Sequence, residues 1–320
     1  MNFAWLFLMF AASLLLLVRS SSLLVRSMTG IARLLGMSEY MVSFILMSFA
    51  TSISELFVGI SSAVNGTNIL SLGNVLGANL VNLTLVVGIS SMVSGGIEME
   101  SKVSRGNFWL IFILSLFPLF LGADGVISRA DGLVLLASFF VYIWHVLGEK
   151  EYFSKVLNHK RQGLESVKGA VKDLAWFFGA TAILLLSSSA LVWSGIRMAD
   201  WISFGLFSFG VVFIALGTTL PELAFGIRAA LSQNGSMAVG NSLGSVAFNS
   251  AFIVGVVSLI RPIAISGLSQ FLFVSLAFVG AFILFNLFVF RRSDVSRREG
   301  AILISLYLAF LAIELWFKNG

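Results

Sequence analysis

The sequence predicts an all-α integral membrane protein in which ten transmembrane helices form two inverted-topology five-helix repeats. Three observations support this fold class. First, 58% of the 320 residues are hydrophobic and only 11% are charged, which is too little polar surface for a soluble domain of this length. Second, several apolar runs exceed the roughly 18 residues that indicate a membrane-spanning helix. Third, one segment around Glu55 recurs in the second half of the chain around Glu222, at a constant offset.

Apolar runs between polar breaks mark the ten candidate spans. They lie near residues 3–18, 40–64, 69–94, 107–122, 131–148, 173–195, 203–230, 236–259, 269–290 and 300–317. Residues 3–18 have no positively charged stretch before them, so we expect a first span rather than a cleavable signal peptide. Residues 19–36 carry Arg19, Arg26 and Arg33 at intervals of seven. This spacing puts them on one helical face and indicates an amphipathic extension at the membrane surface.

The distribution of basic residues predicts the orientation of the chain. If ten spans place the loops on alternate sides, 16 of the 20 Lys and Arg residues fall on one side. The remaining four are Arg129, Arg197, Arg261 and Lys318. Because basic residues accumulate on the cytoplasmic side, we expect a cell-membrane protein with both termini extracellular. The same asymmetry explains the net charge of +5 without a nucleic-acid partner.

The longest polar stretch separates the fifth span from the sixth and divides the chain into two halves. We predict a first five-helix half over residues 1–147, a cytoplasmic linker over 148–172 and a second five-helix half over 173–320. The repeated segments occupy about 40–94 in the first half and about 203–259 in the second. The mixed charges of the linker are typical of a solvated segment.

The repeat itself is specific. Residues 50–88 align without gaps on residues 217–255, and 13 of the 39 positions are identical. Identical pairs include Thr51/Thr218, Glu55/Glu222, Gly73/Gly240, Asn74/Asn241, Gly77/Gly244 and Asn82/Asn249. The glycine pairs form GxxxG spacings, which indicate close helix packing. Since the copies are five spans apart, they cross the membrane in opposite directions. Inverted repeats are typical of secondary transporters, whose sites lie near the midplane where the repeats meet.

Glu55 and Glu222 stand in the middle of apolar runs. A charged acid at that depth costs roughly 2.5–3.5 kcal/mol on insertion scales. Arg228 follows Glu222 by six residues, and we expect it to reach the cytoplasmic end of its helix instead. Protons or bound metal cations are therefore the expected compensation for the two acids.

Neutral oxygen ligands surround both acids. The candidates are Thr51, Ser52 and Ser54 before Glu55, Thr218 and Thr219 before Glu222, and the amides of Asn82 and Asn249. Alternatively, the hydroxyls satisfy their own helix backbones. Pro221 is predicted to kink its helix and free backbone oxygens. The chain has no cysteine and only two distant histidines, so transition metals are disfavoured. Calcium, sodium and protons remain.

Two pairs of motifs carry a family resemblance. They are "ATSISELFVGI" with "GNVLGANLVNLTLVVG", and "LGTTLPELAFGI" with "GNSLGSVAFNSAFIVG". These segments resemble the alpha-repeats of the cation/calcium antiporter superfamily, closest to the prokaryotic sodium/calcium exchangers. The resemblance implies exchange of Ca²⁺ against Na⁺ by alternating access through spans two, three, seven and eight. It implies calcium ligands at Glu55, Glu222 and the backbone of Thr51 and Thr218, and sodium ligands at Ser52, Thr219, Ser245, Asn82 and Asn249.

Three positions depart from the family pattern. Asn249 stands where an aspartate is usual, Ala78 stands where the second repeat keeps Ser245, and Ser54 replaces a proline. A site with two carboxylates carries a charge of −2, which matches one Ca²⁺ or two monovalent cations. Excess positive charge is poorly tolerated in a low-dielectric site. We therefore hypothesise that fewer sodium ions move per cycle than in electrogenic relatives, or that protons take part.

Other functions are less favoured by the sequence. Exchange of H⁺ against Ca²⁺, or of another divalent cation, is the alternative transport activity. A membrane sensor that does not transport would be expected to lose its costly acids. The chain has no nucleophile–base arrangement, metal triad or cofactor motif, so we expect neither an enzyme nor a resident cofactor. Ca²⁺ and Na⁺ are the expected substrates, the lipid bilayer is the expected surrounding, and we expect a functional monomer.

Overall fold

The described part of the chain is almost entirely helical. The computed structural model describes residues 2–34, 49, 51–98, 105–148, 167–233, 235–292 and 294–317. The helices in these ranges are α1 (Phe3–Leu34), α2 (Ile53–Val64), α3 (Asn68–Ser94), α4 (Arg105–Leu121), α5 (Arg129–Gly148), α6 (Val167–Trp201), α7 (Leu206–Thr218), α8 (Leu220–Leu231), α9 (Gly235–Ile260), α10 (Leu268–Arg292) and α11 (Arg297–Phe317). Four short strands lie between them: β1 (Gly96–Glu98), β2 (Val126–Ile127), β3 (Ile263–Ala264) and β4 (Asp294–Ser296).

Most of these helices are membrane spans by length and composition. Seven described helices, α1, α3, α5, α6, α9, α10 and α11, are long and apolar enough to cross a membrane. Helices α7 and α8 meet the same test together as one broken span bent by 44°. Helix α2 and the apolar part of α4 are shorter. Each predicted span contains one of these helices, although residues 40–48 and 50 of the second span lie outside the described residues. The chain is thus a multi-span helical membrane protein, and the number ten stays a prediction.

Helices α1 and α6 pack against each other along a separate hydrophobic cluster. Leu17 and Leu24 of α1 are buried in this cluster together with Leu184 and Leu191 of α6. Helix α1 runs unbroken to Leu34, and its apolar part covers Phe3–Leu24, so the first span is longer than the predicted 3–18. The physical reason is that α6 supplies an apolar partner for its buried face. The placement of the rest of the predicted extension over 19–36 at the membrane surface stays a prediction.

The apolar span of the sixth helix begins at Asp173, the position predicted for the second half. Helix α6 itself begins earlier, at Val167. The last residues of the predicted linker 148–172 are therefore helical, while residues 149–166 lie outside the described residues.

Helices α3 and α9 form the centre of the fold. In their most apolar stretches 83% and 72% of residues are buried, against 17% in α5. On α3, a Cβ added at Gly73 or Gly77 would overlap the backbone oxygens of Phe207 and Val211 on α7. Only glycine allows this approach of two helix backbones. The predicted packing role of this GxxxG spacing is confirmed, and it brings the helix before Glu222 against the helix that carries Asn82.

Contacts at the helix ends recur between the two halves, at the repeat offset or one position beyond it. By position in the two halves of the sequence, β1 corresponds to β3 and β2 corresponds to β4. Strand β1 pairs antiparallel with β4, and β2 pairs antiparallel with β3, so each pair joins one strand from each half. Matched side-chain contacts are Ser128–Asp131 and Ser296–Glu299, whose Oγ–carboxylate distances are both 2.7 Å. Matched close approaches of helix backbones are Gly132–Gly255 and Gly300–Gly88. Such a pattern is expected if an internal two-fold axis relates the two halves.

Candidate functional site

Each glutamate follows a break in its helix. Ser52, just before α2, has φ −85° and ψ 9°, and Thr219, between α7 and α8, has φ −83° and ψ 1°. Neither backbone conformation is helical. Pro221 lies in the first turn of α8, where its missing N–H is tolerated. The first repeat makes the same break with Ser54 at the equivalent position, so proline is not required for it. Breaks of this kind leave main-chain carbonyl oxygens available near the acids.

Amides opposite the breaks hold the two threonines that precede them. The Thr218 hydroxyl donates to Asn74 Oδ1 at 3.1 Å, and the Thr51 hydroxyl donates to Asn241 Oδ1 at 3.4 Å. The two bonds are related by the offset of the sequence repeat, since both partners are repeat-matched pairs. The Ser245 hydroxyl lies 3.4 Å from that of Thr51. Each threonine is therefore positioned by a helix of the other half.

Each of the two carboxylates accepts a hydrogen bond from a serine hydroxyl. The Ser54 hydroxyl donates to Glu55 Oε2 at 3.0 Å, and the Ser52 hydroxyl donates across the halves to Glu222 Oε1 at 3.3 Å. The other oxygens, Glu55 Oε1 and Glu222 Oε2, are buried and have no hydrogen-bond partner within the described residues. Each acid therefore keeps one oxygen free to meet a ligand.

The predicted amide ligands lie on π-helical stretches inside α3 and α9. Asn82 begins the stretch Asn82–Val86, which packs against α8. Asn249 lies in the stretch Phe248–Ile253, which packs against α2. A π-helical turn is uncommon and frequently marks a functional site. Here each amide lies on a stretch packed against the helix that carries the glutamate of the opposite repeat.

Unsatisfied oxygens accumulate in this region. All nine predicted site residues are buried, which are Thr51, Ser52, Glu55, Asn82, Thr218, Thr219, Glu222, Ser245 and Asn249. Besides the two carboxylate oxygens, Asn82 Oδ1 and Asn249 Oδ1 have no hydrogen-bond partner among the residues described. A buried polar atom without a partner costs about 1–3 kcal/mol. These four oxygens are therefore available to a ligand.

A chain of hydrogen bonds orients the Asn249 amide. Its Nδ2 donates to Asn79 Oδ1 at 3.2 Å, and Asn79 Nδ2 donates to the Ser250 hydroxyl at 2.7 Å. This leaves Asn249 Oδ1 as the free atom. An aspartate at position 249 would require the Asn79 amide to turn over, so that its Nδ2 donates to the carboxylate and its Oδ1 accepts from the Ser250 hydroxyl.

The remaining hydroxyl of the predicted set is used locally. The Thr219 hydroxyl donates to the carbonyl oxygen of Ala215, one turn earlier, at 2.7 Å. The alternative of a hydroxyl that satisfies its own helix therefore describes Thr219. The other eight predicted residues lie at the meeting of α2, α3, α7, α8 and α9.

Four contributors were missed by sequence reasoning. They are Asn74, Asn241, Asn79 and the bond of Ser54 to the opposite half. A signal existed for Asn74 and Asn241, since they are identical polar residues at the repeat offset. Asn79 and Ser54 are matched by Val246 and Pro221, so the repeat offers no signal for them.

The chemistry of the site favours a hard cation. All the free ligand atoms named above are oxygens, from two carboxylates and two amides. The described residues contain no group of three or more histidine, aspartate or glutamate side chains placed to hold a metal. Mixed carboxylate and neutral oxygens suit Ca²⁺ and Na⁺ rather than transition metals.

Comparisons with known proteins agree with this arrangement. A model of the family described as sodium/calcium exchanger protein matches residues 5–148 and 172–316. The sodium/calcium exchanger MaX1 of Methanosarcina acetivorans is 26% identical, with 96% of this chain and 97% of that protein covered.

Two solved structures have the same fold. The sodium–calcium exchanger NCX_Mj is similar with a TM-score of 0.64 and 24% identity over 97% of this chain and 99% of that one. The H⁺/Ca²⁺ exchanger CAX has a TM-score of 0.71 and 15% identity over 98% and 86% of the two chains. Because the family model spans both halves of the sequence and most of its length, this chain belongs to the sodium/calcium exchanger protein family.

Proposed function

We propose that the chain is a secondary active antiporter that exchanges Ca²⁺ against Na⁺ at a midplane site between Glu55 and Glu222. The observation that carries the proposal is the pair of buried carboxylates, each with a free oxygen and a hydroxyl partner. Such acids are stable in a membrane interior only with a cation or a proton. The names of MaX1 and NCX_Mj support sodium and calcium as the exchanged ions.

Each predicted residue has a role in this proposal. Glu55 and Glu222 bind Ca²⁺ together with the backbone oxygens of Thr51 and Thr218. The sodium ligands are Ser52, Thr219, Ser245, Asn82 and Asn249, with Thr219 the least direct because its hydroxyl bonds to Ala215. The ions are cargo, and no resident cofactor is proposed.

The inverted repeat supplies the means of alternating access. Ten spans in two inverted halves put the site at a pseudo-two-fold axis, so one site can open to either side. The matched contacts of the two halves support this. The two strand pairs also support the inverted arrangement. Strands β1 and β4 lie in two loops predicted to be cytoplasmic, and β2 and β3 lie in two loops predicted to be external. All the site residues come from one chain, which supports function as a monomer.

An H⁺/Ca²⁺ exchanger is the second candidate. The observation in its favour is the similarity to the structure of CAX, which covers 98% of this chain. The same two carboxylates would then carry protons in place of Na⁺.

Replacing either glutamate with glutamine should abolish transport. For Glu55→Gln or Glu222→Gln we expect calcium uptake to fall about 100-fold or more, because breaking a buried charge interaction costs about 3 kcal/mol. The measurement is radioactive calcium uptake into proteoliposomes, with size-exclusion profiles to verify folding. Glu314→Gln is the matched control, since Glu314 is also a buried glutamate but lies in α11, outside the site. Normal uptake by either site variant would refute the assignment.

The choice of driving ion is tested with imposed gradients. Sodium-loaded proteoliposomes diluted into sodium-free medium should take up calcium several-fold faster than vesicles given only an acid-inside gradient. The opposite ranking would assign the protein to H⁺/Ca²⁺ exchange. Uptake driven by neither gradient would reject antiport of calcium altogether.

The coupling ratio follows from the charge of the site. With two carboxylates and a neutral Asn249, we propose electroneutral exchange of one Ca²⁺ against two monovalent cations. Calcium-driven exchange should therefore generate no net current across the vesicle membrane, and Asn249→Asp should introduce one by adding a third carboxylate. A sustained current in the unaltered protein would contradict this ratio.

The orientation is tested with single cysteines, because the natural chain contains none. We propose a cell-membrane protein with extracellular termini and a cytoplasmic linker over 148–172. In intact cells, a membrane-impermeant maleimide should label Lys318→Cys and not Ser154→Cys. Labelling of Ser154→Cys alone would mean that the orientation is reversed.

A further inference from the structure

Each repeat has one serine near the site whose position in the other repeat holds a residue without a hydroxyl. At the repeat offset, Ser54 of the first repeat corresponds to Pro221, and Ala78 corresponds to Ser245. The first repeat thus has a hydroxyl where the second has none, and lacks one where the second has it. The two differences are opposite in sense, which is apparent only when both pairs of positions are compared.

The surroundings of Thr51 and Thr218 show the effect of these opposite differences. Thr51 has Asn241 and the Ser245 hydroxyl beside its side chain, both at 3.4 Å. Thr218 has Asn74 in the place of Asn241, but Ala78 brings no hydroxyl in the place of Ser245. The Ser54 hydroxyl approaches Thr218 instead, 3.3 Å from its carbonyl oxygen.

Ser54 stands among three acceptor oxygens. Its Oγ lies 3.0 Å from Glu55 Oε2, 3.2 Å from the Thr51 carbonyl oxygen and 3.3 Å from the Thr218 carbonyl oxygen. The bond to Thr51, three residues earlier, is an ordinary bond of a helical serine. The contacts with Glu55 and Thr218 have no such local explanation. One hydroxyl proton satisfies only one of three acceptors.

Three acceptors around one fully buried hydroxyl are a cation ligand set. Ser54 is 0% exposed, so its hydroxyl does not reach bulk water. The set consists of one carboxylate oxygen and two carbonyl oxygens, and the hydroxyl oxygen itself has lone pairs to add. This set carries a single negative charge, which matches one monovalent cation, whereas the proposed calcium site adds the second carboxylate, Glu222, to the same carbonyl oxygens.

We propose that Ser54 is a further ligand of the sodium ion in this exchanger and supplies the hydroxyl that the first repeat lacks at Ala78. The inference rests on the proposed sodium/calcium exchange. The bound ion takes the place of the hydroxyl proton between Glu55 and the Thr218 carbonyl, and Ser54 turns its oxygen toward the ion.

The test measures the sodium concentration that gives half-maximal sodium-driven calcium uptake. Ser54→Ala should raise it about threefold to tenfold, the effect of losing one neutral hydrogen-bonding group. Ser54→Pro, which copies the second repeat, should do the same and provides a second variant if the alanine variant folds poorly. Ser62→Ala is the matched control, because Ser62 is a buried serine of the same helix and bonds to none of these oxygens.

The decisive test is whether a serine at position 78, as in the second repeat, compensates for the loss of Ser54. Ser54→Ala combined with Ala78→Ser should return the half-maximal sodium concentration close to that of the unaltered protein. An unchanged or lower value for Ser54→Ala would overturn the inference, because the hydroxyl would then serve only the ion-free site. If the double variant keeps the raised half-maximal sodium concentration, the inference that Ser54 supplies the hydroxyl missing at Ala78 is overturned. An unaltered protein without sodium-driven uptake would instead reject the proposed function, and this inference with it.

Discussion

Two carboxylates buried without a basic partner among their hydrogen bonds are the constraint on which the surrounding structure depends. The groups near Glu55 and Glu222 are hydroxyls, amides and carbonyls, which present oxygen to the site rather than positive charge. Serine hydroxyls stabilise one oxygen of each acid, and the others stay free. In a low-dielectric interior this leaves the two acids short of charge compensation. Protons or cations are the charges that can compensate such acids.

The fold meets this constraint by local departures from regular helices. Helix breaks at Ser52 and Thr219 precede the two glutamates, and π-helical stretches place Asn82 and Asn249 against the opposite repeat. These irregular turns are tolerated because they line a site inside the protein rather than face lipid. The close approach of α3 and α7 through Gly73 brings the two kinds of irregular segment together.

Sequence reasoning found the parts of the site that carry a local or repeated signal. The cost of an acid in an apolar run and the constant offset between the two repeats were enough to identify the glutamates and the threonines. The break at Ser52 has no proline in the sequence to indicate it. Asn79 has no counterpart in the second repeat, and its bond to Asn249 joins residues that are far apart in the chain. The length of α1 depended likewise on a partner, α6, that is distant in the chain.

The bonds from Ser52 to Glu222 and from Ser54 to the Thr218 carbonyl have a consequence for how transport and binding are linked. Both bonds cross from one half of the chain to the other, so the oxygens of the proposed ion site belong to both halves. Any rotation of one half against the other would change the distances among these oxygens. Under the proposed alternating access, release of an ion and reorientation of the protein would then be one event rather than two.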